Sequence, residues 1–538
     1  PISRFLQTLR LFFLLFAGFN WANRALHEKM ESFQQIISIH YAVESFEKLL
    51  SMDYELLESF EGRQKFERCQ SFAMHGSCSD GAWAVVRLTG LVKSILGILA
   101  YLALFTAGYP VLALVILIVC CLEFVISQVS IRIAARTEDE MSRQEMRFAY
   151  FFRLSHDLAA GKDIRLTGAA DWLIRKLDSS IKAYYQVMRW FTKKTTELTA
   201  ARSACAMVRD GACFFFLIQG VLHQKLPVSD FVFYFSLFTG FSGWLNEMAG
   251  HISSLRRIAG ECEKYREFMD LGKQPMKAHG LPCPTKIDKI EFRDVSFAYE
   301  DSQPVLKNVS FTAKTGDKIA IVGENGAGKT TLMKLLCGLY APTSGKILIN
   351  DIDLNLLDKE SYYDAIGAVF QDYTLLPGSL LDNICMSGTT DRQKAEEVLD
   401  KVGLSERVKA LEQGLDTKLH KQMDADATAL SGGEAQRLLF GRVLYKNAPV
   451  LLLDEPTAAL DPLAEEQLYL EYQSFAEDKI SFFVSHRLTS TRFCNRILFI
   501  EQGAITESGT HQELLNLCRQ YWKMYKIQGF YYQKEGHL

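Results

Sequence analysis

The chain has 538 residues, a mass of 61.0 kDa, a formal net charge of −3 and a pI near 6.5. That length exceeds one ordinary domain. Sixty basic against sixty-three acidic residues set up no bulk field that would gather nucleic acid, so a general nucleic-acid binder is disfavoured. The mean hydropathy of +0.01 averages two unlike halves, the first carrying long apolar runs and the second patterned as an α/β domain.

The first half reads as a multi-span helical membrane domain, residues 1–270. Four stretches, 85–107, 111–133, 204–222 and 231–252, have the roughly 20 apolar residues needed to cross about 30 Å of hydrocarbon. A fifth, 5–26, is interrupted by Arg10 and Asn20. No cleavable signal peptide is expected, because Arg10 interrupts this run and polar helix follows it. Gly108-Tyr109-Pro110 forms a tight turn between the first pair of spans, and the loop 223–230 with Pro227 joins the second pair. Between the pairs, residues 132–202 carry Arg136, Arg143, Arg147, Arg153, Lys162, Arg165, Arg175, Lys176, Lys193 and Lys194, whereas the two short loops carry only Lys225. Positive residues stay on the cytoplasmic side, so the long segment lies inside and the short loops face out. Amphipathic stretches at 30–57 and 138–158 predict helices that run on beyond the bilayer. Counting 5–26 gives five spans, an odd number for two cytoplasmic ends. The simplest repair is that one earlier span is missing from this chain, and Pro1 in place of Met reads as a processed or trimmed N-terminus.

Charged residues inside spans are costly and mark candidate functional positions. Glu123 falls about 20 Å along its helix from Pro110, and Arg209 and Asp210 fall at about the same depth from the 223–230 loop. Two readings stand side by side: the charges face each other or a wet cavity, or they snorkel to the inner headgroups. The twelve cysteines, among them Cys120, Cys121, Cys337, Cys385 and Cys494, show neither C-x-x-C pairs nor zinc-ligand spacing. They read as reduced thiols packed as small apolar side chains.

Residues 271–286 hold Pro275, Gly280, Pro282 and Pro284, the composition of a linker. Beyond it, 287–538 reads as an α/β P-loop NTPase domain. Strands are predicted at 289–297 and 318–322, the second running into Gly323-Glu324-Asn325-Gly326-Ala327-Gly328-Lys329-Thr330-Thr331. This matches G-x-x-x-x-G-K-[ST], in which backbone N–H groups turn inward around phosphate and the following helix adds its positive end. Lys329 is expected to reach the β/γ-phosphates and Thr330 to ligate magnesium. The apolar strand 450–453 ends in Asp454-Glu455, a pair suited to a magnesium site plus a water-activating base. Ser431-Gly432-Gly433 opens another helix and forms a second anion cradle.

With these motifs in this order, the sequence resembles the ATP-binding cassette (ABC) exporters, as a half-transporter with its membrane domain fused to a nucleotide-binding cassette. The resemblance covers nearly the whole chain. It implies that Tyr299 stacks on adenine and that Gln371 touches magnesium and the attacking water. Ser431, Gly432 and Gly433 would cap the γ-phosphate held by a partner subunit. Asp454 would serve the magnesium, Glu455 would be the catalytic base, Asp461 would belong to the D-loop, and His486 would contact the γ-phosphate. ATP and Mg2+ are the implied cofactors, and the partners are a second half-transporter, identical or different, and the lipid bilayer. The localisation implied is the cytoplasmic membrane with the cassette inside. Segments 51–62 and 161–172 would carry short helices that dock on the cassettes, and the helix pair around 110–202 would reach the partner's cassette.

Three features depart from the common pattern: Glu434 stands where Gln is usual, Leu438-Leu439-Phe440-Gly441 replaces an Ala/Arg-rich run, and 421–428 lacks the usual Gly. They resemble bacterial peptide or lantibiotic-type exporters, so the expected function is ATP-driven peptide export. A lipid or multidrug exporter, and an ATP-gated channel or sensor on the same scaffold, remain alternatives. A soluble cassette ATPase would have no use for the spans.

Overall fold

The computed structural model describes residues 2–73, 79–108, 110–223, 227–272, 280–300, 303–386, 390–420, 424–456, 462–485 and 488–535. They form two compact units: Pro1–Met52 with Phe60–Leu271, and Asp53–Ser59 with Gly272–Leu538.

The first unit is helical throughout: α1 (Ile2–Ser51), α3 (Phe60–Ala73), α4 (Asp80–Gly108), α5 (Pro110–His156), α6 (Leu158–Leu166), α7 (Ala170–Leu222) and α8 (Val228–Asp270). The intervening α2 (Tyr54–Glu58) belongs to the second unit. Helix α7 has 53 residues, about 80 Å at 1.5 Å per residue, so it extends far past any hydrocarbon core. Among the described residues two helices are long and apolar enough to cross a membrane, Asp80–Leu104 and Ala170–Leu222. Only 6% and 17% of their apolar windows are buried within the chain, the reverse of a soluble core helix. The predicted spans 5–26, 111–133 and 231–252 lie on α1, α5 and α8. The turn residue Tyr109 and residues 224–226 of the second loop fall outside the described residues.

Helix α5 packs along α7, and α4 along α8. The second contact is built on missing side chains. A Cβ on Gly90 would lie 2.4 Å from the His251 ring, one on Gly97 2.7 Å from Trp244, and one on Gly240 2.5 Å from the Tyr101 hydroxyl. Small residues of this kind let helix backbones approach closely where lipid offers no hydrophobic drive for association. Arg257 fixes the same pair of helices with a two-pronged bond to Asp80, 2.7 Å on each side.

The amphipathic stretch predicted as one helix over 30–57 breaks at Met52–Asp53, where Asp53 adopts extended backbone and α2 begins. At 161–172 the chain forms the end of α6 and a turn through Gly168 at φ +64° before α7 starts.

The second unit holds two sheets. Strands β1 (Lys289–Phe297), β2 (Leu306–Lys314), β4 (Ser344–Ile349) and β5 (Ile352–Asp353) form an antiparallel sheet in the order β2-β1-β4-β5. Strands β3 (Lys318–Gly323), β6 (Ile366–Val369), β7 (Val450–Asp454), β8 (Ile480–Val484), β9 (Arg496–Glu501) and β10 (Ala504–Gly509) form a sheet ordered β10-β9-β3-β8-β7-β6, parallel except for β10. Its helices are α9 (Lys329–Leu336), α10 (Lys359–Asp364), α11 (Leu380–Cys385), α12 (Arg392–Lys401), α13 (Ser405–Lys409), α14 (Gly432–Lys446), α15 (Pro462–Phe475), α16 (His511–Asn516) and α17 (Gln520–Glu535).

The central strands read as continuous apolar runs because both faces of a parallel sheet are covered. Ile319, Ala320, Ile321 and Val322 of β3 and Val450 through Leu453 of β7 are wholly buried. Each buried Val, Leu or Ile is worth about 1.5–3 kcal/mol. This places the carboxyl ends of β3, β6, β7 and β8 together, the edge at which open α/β sheets bind ligands.

Candidate functional site

The loop after β3 is shaped by glycine where nothing else fits. A Cβ on Gly323 would lie 2.2 Å from the Ile500 carbonyl, and Gly328 caps α9 at φ +102° with Leu306 2.7 Å from where its Cβ would stand. The loop therefore turns tightly and presents backbone N–H groups at the amino end of α9. Lys329, the first residue of that helix, is 6% exposed. Its ammonium folds back over the loop, donating to the carbonyls of Gly323 at 3.0 Å and Glu324 at 2.9 Å. Burial lowers its pKa, while the nearby Glu455 and Asp454 carboxylates favour its charge.

Asp454 ends β7 at 1% exposure. Burial pushes its pKa up to about 6, opposed by a hydrogen bond from Thr330, with Glu455 and Asp372 adding repulsion. Its Oδ2 has no hydrogen-bond partner among the described residues. A buried carboxylate oxygen left without a donor, beside a threonine hydroxyl at a phosphate loop, is the hard oxygen set that suits magnesium. Among the described residues no cluster of three His, Cys, Asp or Glu could hold a metal by itself.

Glu455 follows in left-handed backbone, φ +51°, a conformation costing a non-glycine residue about 1 kcal/mol. Its N–H donates to the Val484 carbonyl at 3.1 Å, tying it to β8. Strain that is held in place by neighbouring structure is a mark of functional positions. Gln371 lies exposed just past β6. The next residue, Asp372, carries a charge felt by Asp454, a neighbour the motif reading gave no role.

Tyr299 is half-buried, edge-on to Phe297 at 4.9 Å and to Tyr340 at 5.4 Å. Its hydroxyl bonds Thr331 at 3.0 Å, which fixes the ring against the helix that begins with Lys329. Sequence reasoning missed Tyr340 and Lys334. The Lys334 ammonium sits 5.4–5.9 Å over the rings of Tyr54, Tyr299 and Tyr340 and pairs with Glu58 at 3.2 Å. Tyr54 and Glu58 are on α2, so this short helix rests on the same aromatic cluster as Tyr299. Lys359 pairs with Asp53 at the start of α2.

Ser431 caps the amino end of α14, with Gly432 and Gly433 in its first turn. Among the described residues no hydrogen bond or ion pair joins these three to the 323–331 loop. Asp461 and His486 lie outside the described residues, as do 421–423 of the segment before Ser431. The buried Ser485 closes the described end of β8.

The family model for ABC transporter matches residues 306–458. The chain is 30% identical over 447 residues to "Subtilin transport ATP-binding protein SpaT" of Bacillus subtilis, covering 82% of this chain and 72% of that protein. The chain belongs to the ABC transporter family. Within it, membrane helices fused to a cassette make this an ABC exporter half-transporter. The exporter is also 31% identical over 374 residues to "Beta-(1→2)glucan export ATP-binding/permease protein NdvA" of Bartonella bacilliformis, 68% of this chain and 60% of that one. Its fold matches a solved bacterial Atm1-family ABC exporter with ATP bound, with a TM-score of 0.81 at 22% identity over 93% of this chain and 86% of that chain. The exporter is thus an ATP-binding membrane protein whose ATP hydrolysis is coupled to transport.

Proposed function

We propose that the exporter moves a peptide across the cytoplasmic membrane as a dimer of half-transporters, each signature turn completing the other's ATP site. The observation that carries the dimeric site is the separation within one chain. The phosphate loop, Thr330, Asp454 and Glu455 stand together, while Ser431 to Gly433 open a different helix, α14, as a second anion cradle.

In this reading Tyr299 stacks on adenine, the loop N–H groups hold phosphate oxygens, and Lys329 turns from the Gly323 and Glu324 carbonyls to the phosphates. Gly326 and Ala327 belong to that cradle with Glu324, Asn325 and Thr331. Thr330 and Asp454, with Gln371, would hold magnesium, which when bound supplies charge neutralisation at the phosphate oxygens. Glu455 takes the proton of the attacking water, and His486 donates to the phosphate oxygens as charge develops on them. Asp461 belongs to the seam between cassettes. ATP drives the cycle through its differential affinity for closed and open cassettes.

Peptide as cargo is supported by the subtilin transporter, whose alignment is longer than the cassette and reaches well into the membrane half. The glucan exporter favours a second reading, in which the cargo is a polysaccharide. Uptake of a fluorescent subtilin-type peptide into inverted proteoliposomes, requiring ATP and lost in Glu455→Gln, tests the first. ATP-driven uptake of a labelled glucan without peptide uptake would replace it.

A further inference from the structure

Glu434 stands one residue past the signature glycines, where its negative charge is out of place beside an approaching phosphate. Its carboxylate oxygen Oε2 accepts the Ser431 N–H at 2.7 Å and the Ser431 hydroxyl at 2.9 Å, while the Glu434 N–H donates to that hydroxyl at 3.3 Å. This reciprocal capping box satisfies two free donors at the head of α14, and a carboxylate suits the positive end of a helix. As a cap the arrangement is sound. As part of a phosphate site it presents a problem, because the carboxylate holds the same donors that the γ-phosphate would take.

The other carboxylate oxygen, Oε1, forms an ion pair with Arg407 Nε at 3.0 Å, a charge contact without hydrogen-bond alignment. Arg407 comes from α13, separate in sequence from the signature, with its side chain 40% exposed and that of Glu434 18% exposed. Arg437, on the next turn of α14, adds a second positive charge acting on Glu434. The carboxylate is therefore shared, one oxygen with Ser431 and the other paired in charge with a residue no motif identifies.

We propose that Arg407 is a positioning residue for the ATP site shared between subunits. It holds and neutralises Glu434 so that Ser431 can turn its hydroxyl from the carboxylate to the γ-phosphate on the partner subunit. The inference rests on the reading of Ser431 as a phosphate contact given above. When the hydroxyl turns away, Glu434 keeps the Ser431 N–H on one oxygen and Arg407 on the other. Without Arg407 only Arg437 opposes the charge of the carboxylate, and its repulsion of the approaching phosphate grows. A glutamine in place of Glu434 would carry no such charge and need no such partner.

The test is steady-state ATP hydrolysis by the full-length exporter in nanodiscs, comparing wild type, Arg407→Met, Arg407→Lys, Glu434→Gln, the Arg407→Met/Glu434→Gln double variant and Ser431→Ala. Arg407→Met should raise KM for ATP about three- to tenfold with kcat within about twofold, the size of a partly desolvated charge contact. Arg407→Lys should restore part of the loss, and the double variant should match Glu434→Gln within about twofold. An equal rise in KM in both backgrounds, or none in either, overturns the role of Arg407. So does a fall in melting temperature that accounts for the whole effect and persists in the double variant. Undiminished turnover in Ser431→Ala would instead overturn the phosphate-contact reading itself, so the two failures are distinguishable.

Discussion

Arg209 on α7 donates from one guanidinium nitrogen to both carboxylate oxygens of Glu123 on α5, at 3.0 and 3.1 Å. The two side chains are 3% and 10% exposed, and Arg209 also holds Asp210 at 3.1 Å. Of the two readings open from sequence, pairing is the one the packed helices adopt. Removing one partner strands a buried charge, at about 3–5 kcal/mol where this has been measured in protein interiors. Glu123→Gln and Arg209→Met should therefore each lower the melting temperature in detergent. The swap Glu123→Arg/Arg209→Glu should recover much of the loss. A swap no better than the worse single variant would show that the pair does not join α5 to α7.

Glu455 is positioned by backbone as well as by side chain, its left-handed conformation anchored through the Val484 carbonyl. Glutamine has the same shape and can keep that backbone, so Glu455→Gln removes only the base. Turnover should fall by about 10²–10⁴-fold, the usual contribution of a positioned base. Binding of a fluorescent ATP analogue should remain within about twofold, since the phosphate loop is intact. Wild-type hydrolysis rates in this variant would remove Glu455 from the chemistry.

What could be read from the sequence was whatever is contiguous in it. A phosphate loop needs its glycines, lysine and threonine within nine residues, flanked by a buried strand and a helix, so Lys318–Gly323 and α9 were legible at once. The strand before Asp454 was legible for the same reason, its run of Val and Leu being what a doubly covered strand requires. Relationships between distant segments were not. Nothing in the local pattern of 30–57 says that Asp53 breaks the helix and passes Tyr54 and Glu58 to the second unit. Nor does a lysine late in α9 announce that three tyrosines, one of them Tyr54, surround it. The departure at Glu434 was visible, but the arginine that answers it lies far back in the sequence.

Lys334 joins α2 to the cluster around Tyr299, and its removal should be felt at both. Each ring contact of this kind is worth about 0.5–1 kcal/mol at an exposed site, and the Glu58 pair adds a similar amount at most. Lys334→Met should therefore speed hydrogen exchange at the backbone of 54–58 by about three- to tenfold, while Lys334→Arg, which keeps the charge, should stay near wild type. Exchange unchanged in Lys334→Met would show that α2 is held by Lys359 and apolar contacts alone.

The α4–α8 contact gives the membrane half its sharpest test, because its register is explicit. Gly90 faces His251 and Gly97 faces Trp244, seven residues apart on each helix, and four residues further along α4 Tyr101 faces Gly240. Two antiparallel helices keep that register only while each ring has a glycine opposite. Gly97→Leu forces Trp244 from its place, and overpacking of this kind costs about 1–3 kcal/mol. Gly243 and Gly250, on α8 itself, have nothing within 4 Å of where a Cβ would stand, so alanine there should be nearly silent. Gly97→Leu should lower the melting temperature, and adding Trp244→Ala should return part of it by opening the space the leucine needs. If Gly97→Leu proves as mild as Gly243→Ala, the two helices do not meet at this register.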